Sequence, residues 1–157
     1  MKLHVIFTGK TVGKLPQEAI ADYQGRLSHY VPFSIEELPD LKNVKNLSEE
    51  QQKEREADML FERLQPGDVL ILLDERGREF TSREFSQYLE QKMQTVSKRL
   101  VFLIGGPYGF SPRVYEAAQG KISLSKMTFS HQMVRLFLVE QIYRAYTIMR
   151  GEPYHHD

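Results

Sequence analysis

Two short runs made almost wholly of large aliphatic side chains constrain this chain more than any other feature: Val69 to Leu73 and Leu100 to Ile104. A strand that is apolar at consecutive positions has neither face in water, so it belongs inside a sheet covered on both sides. The segments around these runs follow a helical period. Pro16 to Tyr30 places Ala19, Ile20, Tyr23 and Leu27 on one face. Ser48 followed by Gln51 is a capping-box signature for a helix running to about Leu64, where Gln65-Pro66-Gly67 stops it. Thr81 and Glu84 repeat the signature for a helix to about Ser97. Ser111 as N-cap and Pro112 at the first helical position predict a short helix to about Ala118. His131 to Arg150 is the longest helical pattern, with Ser130 available to cap it. Leu3 to Phe7, Phe33 to Leu38 and Ile122 to Ser125 read as further strands, and Asn43 to Leu47 as a polar loop. Strand and helix alternate along the chain, which predicts an α/β fold with a mainly parallel sheet flanked by helices. With 157 residues, no repeat and no linker, one domain over 1–157 is expected.

A chain of this size can bury a core without covalent staples. It contains no cysteine, which argues against a small secreted scaffold and fits a reducing cytosol. No apolar run approaches the ~18–20 residues of a membrane span. The first ten residues, MKLHVIFTGK, turn polar too soon for a signal peptide. Lys+Arg and Asp+Glu are both 21, so gripping nucleic acid by bulk charge is disfavoured, while a local basic patch is allowed. Between Glu36 and Glu62 nine acids outnumber four bases, which reads as a solvated face unsuited to RNA. In the last helix Val134, Leu138, Ile142, Ala145 and Met149 form one stripe, widened by Met133, Leu136, Phe137 and Tyr143. An apolar arc this wide needs cover on more than one side, from a second subunit or from an unusually central place in the core.

Few motifs carry chemistry by themselves. Thr8-Gly9-Lys10-Thr11 is not a Walker A loop, because the required earlier glycine is replaced by His4. Gly105, Gly106 and Gly109 follow a central strand, where α/β sheets bind ligands, but the same glycines suit an ordinary tight turn. The run Leu124, Ser125, Lys126, Met127, Thr128 and Phe129 is either a simple loop leading into a helix or a segment whose free backbone groups meet an adenine edge. His131 and Arg135 lie one helical turn apart, with Arg144 further along, as an anion site for RNA phosphate or as plain surface polarity. Tyr154, His155 and His156 close the chain in what is most simply a disordered tail. No partner stands at metal-ligand spacing from those histidines, so no metal is expected. There is no Gly-x-Ser-x-Gly elbow and no cysteine nucleophile.

Taken together, Leu-Ile-Gly-Gly-Pro-Tyr-Gly, Leu-Ser-Lys-Met-Thr-Phe-Ser-His and the closing Arg-Gly-Glu-Pro-Tyr-His give a strong signal. With these motifs the chain, from end to end, resembles the bacterial ribosomal large-subunit pseudouridine methyltransferase H family, in the SPOUT class of knotted methyltransferases. The resemblance implies a trefoil knot in the C-terminal third, a homodimer, and S-adenosylmethionine held bent by three knot loops. By position, its cofactor residues fall on Leu73, Gly105 and the run Leu124, Ser125, Lys126, Met127, Thr128 and Phe129. The implied reaction is cytoplasmic N3-methylation of a pseudouridine in 23S rRNA of the assembled ribosome. On that reading His155 handles the N3 proton, Tyr154 stacks on or bonds the base, and Arg135 and His131 hold phosphate or the uracil oxygens. The family's usual proline before the histidine is Ser130 here, for which a slightly looser helix start is expected. The rivals are a SPOUT enzyme with another nucleoside target and an inactive ribosome-binding α/β factor. A third is a flavodoxin-like binder using Thr8 to Lys14 as a phosphate cradle.

Overall fold

The computed structural model describes residues 1–157. Five strands alternate with five α-helices: β1 (Lys2–Thr8), α1 (Lys14–Leu27), β2 (Phe33–Leu38), α2 (Glu49–Arg63), β3 (Val69–Glu79), α3 (Ser82–Thr95), β4 (Arg99–Ile104), α4 (Pro112–Ala117), β5 (Gly120–Ser123) and α5 (Met133–Met149). All pair in parallel, in the order β2-β1-β4-β3-β5. The two aliphatic runs therefore lie in interior strands, as their composition demands.

Strand alternation divides the core into two layers. Leu3, Val5, Phe7, Ile71, Leu100 and Phe102 face α1, α3 and α5. Ile6, Leu70, Leu72, Val101 and Leu103 face α2 and α4. Each fully buried aliphatic side chain contributes about 1.5–3 kcal/mol. The last helix, α5, packs against both α1 and α3 at the centre of its layer.

Local signals place most boundaries. Both capping boxes form: Ser48 and Gln51 exchange bonds of 3.1 and 2.8 Å, and Thr81 and Glu84 exchange bonds of 3.1 and 2.7 Å. Helix α1 starts at Lys14 rather than Pro16, since proline fits a first turn whose N–H groups have no helical partner. It ends at Leu27, short of Tyr30, in a turn where the Ser28 hydroxyl donates to Gly25 O. The polar loop expected at Asn43 to Leu47 holds one turn of 3-10 helix, Val44–Asn46. Ser111 does not cap α4; its Oγ is buried without a partner. The regular part of α5 begins at Met133, but Ser130 Oγ accepts from Met133 N at 3.0 Å. Serine in place of proline thus adds a capping bond where a looser start was expected.

The largest departure is at β3 and β5. Strand β3 continues past Leu73 to Glu79, and β5 lies two residues earlier than expected. The two strands pair at Leu73↔Ile122, slip, and pair again at Arg78↔Ile122 and Glu79↔Ser123. Gly77 permits this close approach: a Cβ there would lie 2.4 Å from the carbonyl carbon of Ile122. The extension is polar (Asp74, Glu75, Arg76, Arg78, Glu79), so an apolar pattern does not reveal it.

Candidate functional site

The carboxyl ends of β3, β4 and β5, with the 124–132 loop, enclose a cavity of about 680 Å³. That lies within the ~300–1,000 Å³ of small-molecule sites, and the place is the one where parallel α/β sheets bind ligands. Of the residues singled out for a cofactor, Leu73, Gly105, Leu124, Ser125, Met127, Thr128 and Phe129 line this cavity, and Lys126 does not.

Each wall has a local cause. The glycine turn closes with a bond from Gly109 N to Gly106 O of 3.2 Å, and Gly109 takes φ +82°, which favours glycine. Gly105 is needed for packing: a Cβ there would meet the Phe110 ring at 2.9 Å. In the 124–132 loop, the Ser123 hydroxyl donates to Ser125 O and Ser125 Oγ accepts from Met127 N, both at 2.9 Å. These bonds fix a turn that leaves Met127 76% exposed. At the end of the aliphatic part of β3, the Tyr115 hydroxyl donates to the Asp74 carboxylate. Burial, then this bond, push the Tyr115 pKa up to about 12, so the phenol keeps its proton. Neither Asp74 nor Tyr115 stood out in the sequence, because each lacks a motif of its own.

His131 lines the cavity, and burial, then the charge of Arg135, lower its pKa. Arg135 corrects the sequence reading. It is fully buried, and its guanidinium donates to Thr8 O, Gly9 O, Thr11 Oγ1 and His131 O at 2.9–3.1 Å over the Phe7 ring. It ties the β1–α1 loop to α5 and has no side turned to an RNA phosphate. That loop is no phosphate cradle either. Asp40 accepts from Lys10 N at 3.0 Å and Glu37 from Thr11 N at 2.7 Å, so carboxylates occupy the donors an anion would need.

The tail is ordered, against the expectation of a frayed end. The Tyr154 hydroxyl donates to Glu140 at 3.0 Å and lies 3.1 Å from that of Tyr23. Burial first, then these bonds, raise its pKa. Arg144, paired with Glu140 at 2.7 Å, donates to His155 Nδ1 at 3.1 Å. An arginine can only donate, so the ring proton of neutral His155 sits on Nε2, facing Asp157 at 3.0 Å. Arg83 holds Asp157 at 2.7 Å. Neither Tyr154 nor His155 lines the cavity of its own chain. Glu140, which sequence reasoning missed, organises this cluster; its i,i+4 spacing from Arg144 was the available signal.

Helix α5 divides its wide apolar arc as well. Leu138, Ile142 and Ala145 are buried in the chain's own core, whereas Met133 and Phe137 stay 40% and 37% exposed. Phe129 stacks edge-on to Phe137 at 5.0 Å, and exposed Val12 and Leu15 sit on the β1–α1 side. Gln132 clamps that loop to α5 by accepting from Val12 N at 2.8 Å and donating to Lys10 O at 3.0 Å. No cluster of three His, Cys, Asp or Glu side chains could hold a metal, and no helix is long and apolar enough to cross a membrane.

Comparison with known proteins adds a second line of argument. A family described as predicted SPOUT methyltransferase matches residues 1–155. The chain is 64% identical to the ribosomal RNA large subunit methyltransferase H of Parabacteroides distasonis, over 157 residues that cover all of both chains. It is 59% identical to the same-named protein of Phocaeicola vulgatus over the full length of both. The identity is 58% to that of Flavobacterium johnsoniae, over 156 residues and 99% of each chain. Both the parallel α/β sheet with its cavity at the strand ends and the match over nearly every residue lead to one conclusion: this chain belongs to the SPOUT methyltransferase family.

Proposed function

We propose that the protein methylates ribosomal RNA of the large subunit, using S-adenosylmethionine, at N3 of a pseudouridine in 23S rRNA of the assembled ribosome. The observation that carries this reading is the convergence of the Leu73 strand end, the Gly105 turn and the 124–129 loop on one cavity. Its donor set suits the cofactor: turn backbone for an adenine edge, apolar Leu73, Ile104 and Phe129 to exclude water, and the Asp74 carboxylate in the lining for a cationic group. When bound, S-adenosylmethionine supplies an electrophilic methyl group on a sulfonium.

What remains for the chain is alignment and handling of charge. The base must lose its N3 proton as it takes the methyl group in line. Arg144 lies against His155, and Glu140 holds Tyr154, so the tail presents a proton-transfer group, a cation and an aromatic face together. Its distance from its own cavity supports a role at the cavity of a second subunit. A homodimer is supported by the exposed apolar side chains Val12, Leu15, Met133 and Phe137, which a partner surface would cover. A trefoil knot is supported by the close approach of β3 and β5 at Gly77 and by the return of α5 from the edge strand to the centre of its layer. The unbroken sheet covered on both faces supports one domain over 1–157, and a ribosomal substrate would place its action in the cytoplasm. With equal numbers of acids and bases, recognition rests on docking geometry more than on bulk charge.

The deciding experiment is transfer of labelled methyl to assembled ribosomes and to isolated large subunits, with mapping of the product nucleoside. Label at pseudouridine N3, on assembled ribosomes only, is the expected result. Label on another nucleoside would favour a different SPOUT target. Cofactor binding without transfer to any ribosomal RNA would overturn the reading.

A further inference from the structure

Helix α2 passes beneath the glycine turn with one carboxyl directed at it. A Cβ built on Gly106 would lie 2.6 Å from Glu56 Oε2 and 3.3 Å from Oε1, so the carboxyl packs directly against this glycine. Around it is a small void of about 10 Å³, lined by Thr8, Lys53, Glu56, Gly109 and the unpartnered Ser111 among apolar neighbours. Lys53, Gly109 and Phe110 line both this void and the large cavity, so the two share a wall. The turn is closed by an isolated antiparallel bridge between Gly106 and Gly109, with a 3.2 Å bond from Gly109 N to Gly106 O, while Phe110 packs against Gly105 and Glu56 against Gly106.

No cation neutralises the Glu56 carboxyl. The ammonium of Lys53, one turn earlier, sits 3.9 Å from Glu50. Arg113 of α4 is engaged by Glu54 and Asp58. Glu56 is half-buried, and this partial burial is the sole cause acting on its carboxyl, pushing its pKa up to about 7, above the ordinary carboxylate range.

We propose that Glu56 is a positioning residue for the cofactor wall: its neutral carboxyl, packed under Gly106, holds the Gly105–Gly109 turn in its binding shape, and loss of the proton releases it. The inference rests on the reading that the large cavity takes S-adenosylmethionine. An ionised carboxylate without a partner is disfavoured in this niche and gains by swinging toward water. That movement removes the support beneath Gly106 and lets water under the turn. The proton is held more tightly when the turn is closed, so cofactor affinity falls as pH rises through about 7.

The test is calorimetric titration of S-adenosylmethionine into wild type, Glu56→Gln and Glu56→Ala from about pH 6 to about pH 8.5, with a thermal melt of each variant at each pH. Glutamine copies the neutral acid in shape and cannot ionise. His131 in the cavity and the cofactor's own amino group titrate in all three proteins, so the difference between wild type and Glu56→Gln isolates Glu56. Wild type should lose at least ~5-fold more affinity across this range than Glu56→Gln, the low end of ordinary coupling between sites. Glu56→Ala, which leaves the turn unsupported, should bind weakly at every pH while remaining folded. Superimposable wild-type and Glu56→Gln profiles would overturn the proposal, as would a Glu56→Ala protein that binds like wild type at pH 6. Absence of cofactor binding by wild type at every pH would overturn the proposed function instead.

Discussion

Arg135→Met removes the hub that ties α5 to the β1–α1 loop. Four hydrogen bonds of 2.9–3.1 Å are lost, and the acceptors at Thr8, Gly9, Thr11 and His131 lose this donor. Methionine fills much of the volume, so little of the effect comes from a void. Hydrogen bonds to charged groups contribute about 1.5–3 kcal/mol each, but removing the guanidinium also relieves its own desolvation. Each buried acceptor left without a donor costs about 1–3 kcal/mol, and with the relieved desolvation set against four of them the net loss is about 3–5 kcal/mol. Against a total stability of about 5–15 kcal/mol that is a large share. For a chain of this size each kcal/mol lowers Tm by about 2–4 °C, which gives a drop of roughly 6–20 °C. Scanning calorimetry at fixed protein concentration measures it, because association would otherwise shift the midpoint. Arg135→Lys should recover only part, since one ammonium does not reproduce a planar fork spanning separate acceptors. If Arg135→Met melts within about 2 °C of wild type yet loses methyl transfer to ribosomes, the burial argument fails and Arg135 is a substrate contact after all.

Gly77→Ala drives a methyl group onto the Ile122 backbone, which has no flexible end to yield, and should give insoluble or misfolded protein; a soluble variant melting like wild type would contradict the close-approach argument. Gly105→Val pushes on the Phe110 ring and through it deforms the cavity wall, so titration should show lost cofactor affinity with a retained circular dichroism spectrum. Deleting Tyr154 to Asp157 should leave folding and cofactor binding largely intact and lower methyl transfer by at least ~10²-fold, with His155→Ala reproducing much of the loss and His156→Ala little. Transfer by the truncated protein at the wild-type rate would return the tail to a packing role. Phe137→Glu, on the exposed side of α5, should turn a dimer into a monomer in light scattering with no loss of monomer fold, whereas glutamate at the fully buried Leu138 would test the core and not the interface.

The parts of this protein legible in its sequence are those decided by residues a few positions apart. The aliphatic runs 69–73 and 100–104 demanded interior strands, and the pairs Ser48/Gln51 and Thr81/Glu84 marked helix starts to the residue. Gly105 and the 124–129 run could be picked out as loops beside a strand end, because chain order in a parallel sheet already says which ends gather. What those loops enclose was legible only through the family resemblance, not through the residue pattern. The polar second half of β3 pairs with β5 only because Gly77 lets the two backbones approach closely, and residue patterns carry no record of a partner strand more than 40 positions away. Arg135 looked like an anion-binding cation because His131 stands one helical turn before it and an arginine is usually solvated; it is buried because Thr8, 127 residues distant, brings a carbonyl to it. The tail looked frayed because a short polar terminus has no local reason to be ordered, and it is ordered by Tyr23 on α1 and Arg83 on α3. Glu56 sat in an acidic run that reads as solvated, and only the glycine turn folded over it half-buries its side chain. Propensity and periodicity act through neighbours on one segment, whereas burial, charge state and the shape of the site are set by segments that meet only after the sheet has formed.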